Sequence, residues 1–278
     1  TNGNISLTTT SGDITGLAIV NAGSGNVTLN SAGAIVDDGS AGTVITGGVL
    51  TADAAGAITI DSTVASANIS TSAAGNVDLD ETDGITLTDL DTNDGSITVD
   101  AGGLITATDV VAAGGSGDSV TLTTTTGGAV ATLVTGADAV SITANAGDIT
   151  IGAVTATAGI LGVTATAGSI NDAADDNTAD FTAGGLITLT AQDEIGVLGS
   201  GTDTDLEFAT GSSVNVSTTG TGAIDLDGLG TLTLTDLDTA NGAITATSGG
   251  ALTVTDVASG TNGNISLTTT SGDITGLA

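Results

Sequence analysis

Any chemistry in this 278-residue chain must come from carboxylates, hydroxyls and amides, because Lys, Arg, His, Cys, Tyr, Trp and Met are all missing. The 32 acidic residues are therefore the first candidates. Asp89 and Asp91 flank Leu90, and Asp225 and Asp227 flank Leu226. On a strand whose leucine points inward, both flanking carboxylates face outward about 7 Å apart, a separation at which an acid and a base can cleave a glycosidic bond. No His, Lys, Arg or Tyr is present to bind a sugar acid or stabilise an oxyanion. The expectation is solvated Asp near chain corners, with no catalytic residue and no enzymatic activity.

Calcium is the second candidate chemistry. Residues 114–122 (GGSGDSVTL) approach the nonapeptide of calcium β-rolls, but Asp118 comes one position early and the motif occurs once. Residues 89–95 (DLDTNDG) approach a calcium loop, yet Gly95 lies one position late for its sharp turn. Both read as ordinary solvated turns. No metal-ligating or cofactor-binding residue is assigned, and divalent cations such as calcium are expected to act without a specific site. Whether Asp89/Asp91 or Asp225/Asp227 also hold calcium stays open at this level. Asn-x-Ser/Thr sequons at Asn4, Asn26, Asn68, Asn215 and Asn264 follow from a composition rich in Ser and Thr. Thr-x-Thr pairs, among them Thr86/Thr88, Thr164/Thr166 and Thr233/Thr235, would need register on one flat face to bind ice. Aligned by motif, their equivalents drift to Asp, Ser, Asn and Ala, so β-propensity is the reading preferred for Thr.

These residues sit on a repeated short element. Aliphatic residues at i and i+2, a Gly-centred turn and a second aliphatic start eight to ten residues on recur along the chain. Examples are residues 5–14 (ISLTTTSGDI), 27–35 (VTLNSAGAI), 97–105 (ITVDAGGLI), 140–149 (VSITANAGDI) and 244–252 (ITATSGGAL). Period-two alternation is the strand signature, with Ile, Val and Leu inward and Thr, Ser and Asp outward. Motif onsets fall mostly 19 to 30 residues apart, too close for independent domains and right for one coil of a three-sided β-solenoid. Residues 85–112 echo 232–259 with 16 identities in 28 positions. Residues 171–185 and 196–208, which are acidic and irregular and contain Phe181 and Phe208, read as loops extruded from coils, the two rings filling a gap in the core. Helix is not expected, since 29 of the 32 acids are Asp, a turn former.

The longest repeat is exact. Residues 1–18 (TNGNISLTTTSGDITGLA) return unchanged as residues 261–278, a period of 260. The chain is accordingly expected to be one solenoid segment over residues 1–278, a window on a longer uncapped array of 11 to 13 coils per unit. Missing Pro suits unbroken ladders. A net charge of −32 with no cation excludes nucleic-acid binding and attachment to anionic lipid headgroups, and no apolar run reaches the ~20 residues of a membrane span. The ordered aliphatic pattern argues against disorder, and a rhythm of about twenty residues with two Phe argues against immunoglobulin-like sandwiches.

The coils at residues 3–14 (GNISLTTTSGDI), 95–110 (GSITVDAGGLITATDV) and 242–257 (GAITATSGGALTVTDV) resemble the haemagglutinin-type repeats of large secreted bacterial adhesins of the filamentous-haemagglutinin class. The resemblance implies an all-β fold, a right-handed parallel β-helix, and a secreted protein acting in adhesion or biofilm. Together these readings anticipate a structural stalk or filament segment at the cell surface or outside the cell. Its long acidic surface lacks the basic residues that many proteases select. Its partners would be neighbouring repeats, end to end and laterally, with no nucleic acid and no membrane insertion. The alternative is an adhesin module gripping glycans or ice through one solenoid face, and such a face should hold one outward position constant over successive coils. No such position is evident from the motifs alone.

Overall fold

The computed structural model describes residues 2–40, 42, 45–174, 176–196, 205–260 and 263–276. Among them are 29 strands and no helix, and strands pair in parallel with those of the next turn. The protein is a β-solenoid of about 12 turns. One inward column can be followed without a break: Ile14, Ile35, Ile58, Val77, Ile97, Val120, Val140, Leu161, Ile187, Val214, Leu234 and Val254. Every step places one aliphatic side chain on another, so the narrow core is continuous along the axis and the residues between them face outward. At about 4.8 Å per strand, twelve turns rise roughly 58 Å.

Turns differ in length from 17 residues (Leu50 to Ala67) to 29 (Ile195 to Ile224). The long turns are those carrying the two irregular stretches. Contrary to the sequence reading, both Phe residues belong to wall strands, Phe181–Ala183 and Leu206–Phe208. They are register partners, fully buried, with ring centroids 5.4 Å apart. The loop in between is extruded as expected at residues 173–179, whereas residues 197–204 lie outside the described part.

Corners show why Gly, Thr and Asn occupy their places. A Cβ on Gly75 would lie 2.5 Å from the amide nitrogen of Ala57 and the carbonyl carbon of Gly56 in the turn below. Gly95 stands on Gly75 in the same way, so close backbone contact between successive corners excludes any side chain. At the end of a strand, an inward Thr or Ser donates to the carbonyl three residues on: Thr92 to Gly95 (2.5 Å), Thr124 to Gly127 (2.6 Å), Thr239 to Gly242 (2.8 Å). Just before a strand, Asn or Asp accepts the amide of its counterpart one turn up: Asn4 from Asn26 (3.0 Å), Asp13 from Ala34 (2.8 Å), Asn76 from Ser96 (3.0 Å), Asp148 from Ser169 (2.9 Å). These side chains supply acceptors where the backbone ladder turns a corner and cannot.

The 147-residue echo is structural. Strands Ile85–Asp94, Ile97–Ala101, Ile105–Ala107 and Val110–Ala112 match Leu232–Thr239, Ile244–Ser248, Leu252–Val254 and Val257–Ser259 in order. In both sets the long first strand pairs with the two short last ones.

Candidate functional site

The Asp pairs lie as the alternation requires. Leu90 and Leu226 are fully buried, while Asp89, Asp91, Asp225 and Asp227 stand on the outer surface of the wall. Asp89 accepts from the Asn68 side chain at 3.2 Å. Burial raises the carboxyls of Asp91 and Asp225 above the ordinary range, and their neighbours Asp89 and Asp227 add to the rise. Neither calcium motif forms its loop. Asp89–Asp94 runs inside the Ile85–Asp94 strand, and Asp118 closes its own turn by accepting from the Gly115 amide at 2.8 Å. Of the sequons, Asn4 serves as a corner acceptor and Asn68 as a donor across turns.

Register reveals an outward column that motif alignment conceals. Asp61, Asp80 and Asp100 stack on one another, followed by Thr123, Thr143, Thr164, Thr190 and Ser217, then Asp238. One outward position therefore stays a hydroxyl over five turns, four of them Thr, which corrects the expectation that no constant position exists. The preceding outward column on that stretch is Thr121, Ser141, Gly162, Thr188 and Asn215. Paired Thr columns are thus complete at Thr121/Thr123 and Thr188/Thr190 and broken between them.

A second feature lies where the two irregular stretches meet. Asp172, Asp180 and Glu207 each place a carboxylate oxygen within 4.8 Å of the other two. Asp172 ends the Ile170–Asp172 strand, Asp180 precedes Phe181, and Glu207 lies between Leu206 and Phe208. The stacked Phe strands fix the last two relative to each other, and the Glu207 amide donates to Asp180 Oδ2 at 2.9 Å. Asp172 Oδ1 accepts the Ala174 amide at 2.9 Å. Asp180 and Glu207 are buried and Asp172 is half-buried. Burial pushes all three carboxyls up; for Glu207 the nearness of Asp180 and Asp172 adds to it.

Glu81 provides an internal comparison. It is also a buried Glu, but it accepts Ser62 Oγ at 2.6 Å and the Val64 amide at 3.1 Å. Both oxygens of Glu207 are buried and accept no hydrogen bond. The sequence reading assigned no metal ligand and missed this cluster, because its members are 35 residues apart in the chain (172 to 207) and meet only through the Phe181–Phe208 register. One signal was present: Glu occurs three times against 29 Asp, and one of the three lies between the two most apolar positions of an irregular stretch.

Compared with protein-family models, curated proteins and solved structures, the chain matches none of them.

Proposed function

We propose that this chain is a segment of a structural stalk or filament, part of a large repeat protein at the cell surface or outside the cell. It acts by length and by its acidic surface, without catalysis or a resident organic cofactor, in the manner of the haemagglutinin-type repeat regions it resembles. One observation carries the reading. The repeated 18-residue segment folds as Ile5–Thr8 with Ile14–Leu17 and again as Ile265–Thr269 with Ile274–Gly276. The first copy pairs with the turn that follows it, Ile5 on Val27, and the second with the turn before it, Ile244 on Ile265. A single copy can therefore be sandwiched in register between the last turns of one unit and the first turns of the next. Ile265 and Ile274, about half exposed, are the residues such a continuation would cover. The natural partner of one unit is another unit, end to end.

The test compares chains of one, two and three joined units. Melting temperature and cooperativity should rise with unit number, as nearest-neighbour stacking requires, and fibres should show an axial repeat of roughly 58 Å over a 4.8 Å layer line. A lone unit that melts sharply as a monomer and no lower than three joined units overturns the reading. The five-turn hydroxyl column favours a second reading, an adhesin face for glycans or ice. Thermal hysteresis or glycan retention that is lost in Thr143→Asp/Thr164→Asp, with melting unchanged, would support it over the purely structural role.

A further inference from the structure

We propose that Asp172, Asp180 and Glu207 form a specific site for a hard divalent cation, with calcium the ion that fits. The inference does not depend on the filament reading. It begins from charge: a sequence with no Lys, Arg or His cannot neutralise a buried carboxylate from within. Three acids whose oxygens lie within 4.8 Å of one another must be compensated by protons or by an ion from outside. Glu81 shows what this chain does with a buried Glu it intends to keep by itself, surrounding it with a hydroxyl and an amide. Glu207, fully buried and aimed at two other carboxylates, has no donor at either oxygen.

The ligand set selects the ion. All donors are carboxylate oxygens, which suit calcium, magnesium or manganese rather than zinc or copper. Calcium takes six to eight oxygens at 2.3–2.6 Å, so ligands on opposite sides of the ion stand about 4.6–5.2 Å apart. The three carboxylates already lie inside that span. Magnesium demands a near-ideal octahedron at about 2.0–2.1 Å and sheds water reluctantly. The site is also oriented in advance. Backbone amides hold one oxygen each of Asp172 and Asp180, leaving one from each Asp and both from Glu207 to coordinate. That gives four protein oxygens, and the half-buried side at Asp172 admits the ion and its remaining waters. Bound there, calcium would tie the 171–180 excursion to the strand of the next turn, bracing the two turns where the wall departs from its regular pattern.

Calorimetric titration of calcium into the full chain, in chelator-treated low-salt buffer, tests the proposal. One saturable calcium per chain is expected, with Kd between about 10⁻⁵ and 10⁻³ M, above a weak background on the exposed acids. Glu207→Gln should weaken that site at least tenfold, whereas Asp61→Asn/Asp100→Asn, in the outward acidic column, should leave it intact. Without calcium, Glu207→Gln should melt no lower than the native chain, since it removes a buried charge, so lost binding would not reflect unfolding. Should that variant fail to fold, the half-exposed Asp172→Asn carries the same comparison. Europium luminescence lifetimes give an independent readout: an ion at this site sheds most of its water, and one condensed on the surface does not. No saturable site, a site retained in both Glu207→Gln and Asp172→Asn, or equal binding of magnesium overturns the proposal and leaves shared protons as the compensation.

Discussion

Single residues matter here because each acts in a stack. Gly75 has a corner below it at Gly56 and one above it at Gly95, and its missing Cβ is what lets the three approach. Gly75→Ala should cost about 1–3 kcal/mol, the range for forcing atoms into a packed interior, because the atoms in the way are backbone. Asn76, the next residue, tests the corner acceptors. Asn76→Ala removes the acceptor for the Ser96 amide, and because the site is exposed, water replaces part of the bond and the loss should be about 0.5–1 kcal/mol. Denaturant or thermal unfolding of the two variants checks the order. Equal losses would mean that the corners are held by strand packing alone. The same logic explains the sequons: Asn before a strand has a structural duty whether or not a glycan is ever attached.

Among elements, the strand and its alternation were legible from sequence, because Ile, Val and Leu at i and i+2 have only one way to be buried in a narrow core. The turn length was legible from Gly spacing, since the corners that need Gly recur once per side. What sequence left hidden was register between turns of unequal length. The hydroxyl column Thr123–Thr143–Thr164–Thr190–Ser217 skips 20, 21, 26 and 27 residues between members, so no fixed offset reveals it. Glu207 was hidden for the same reason, its partners depending on which residue stacks on Phe181. The echo between 85–112 and 232–259 gives this scale its test. Replacing the first by the second keeps strand order and pairing, so the chimaera should retain its β signal in circular dichroism. Its melting temperature should lie within about 4 °C of the native value, the shift that about 1 kcal/mol produces in a chain of this size. Grafting the same segment one residue out of phase turns every inward aliphatic to solvent and should abolish cooperative melting. If both grafts behave alike, alternation is not what sets these walls.

For the molecule as a whole the governing fact is one-signed charge on a rod. Residues 1–260 hold 31 of the 32 acids, since only Asp273 lies beyond. Over roughly 58 Å that is one charge per about 1.9 Å, close to the ~1.7 Å of duplex DNA, with no cation anywhere to offset it. Individual groups register the strain of this arrangement. Burial first, then like-charged neighbours, raise Asp78 and Asp80 (facing Asp100, Asp61 and Asp37), Asp91 (facing Asp89 and Asp109) and Asp238 (facing Asp236 and Asp256). Burial raises Glu81 despite its donors, and Asp225 rises beside Asp227. Asp38 and Asp176 move the other way, and both are fully exposed. A carboxyl raised in the folded state binds protons that the unfolded chain has already released, so stability falls as pH rises. The contribution is complete below the ordinary carboxylate range, about pH 4, and is lost as pH climbs through the raised values. Melting temperature in calcium-free buffer should therefore increase from pH 8 down to pH 5, opposite to a protein held by salt bridges. Sodium chloride should raise it at pH 8 by screening the repulsion, and less at pH 5, where fewer charges remain. Any stabilisation by calcium beyond sodium at equal ionic strength that survives Glu207→Gln belongs to this diffuse field; the part that disappears belongs to the carboxylate cluster. A melting temperature that is flat or falls between pH 8 and pH 5 would show that the rod's own charge does not limit its stability.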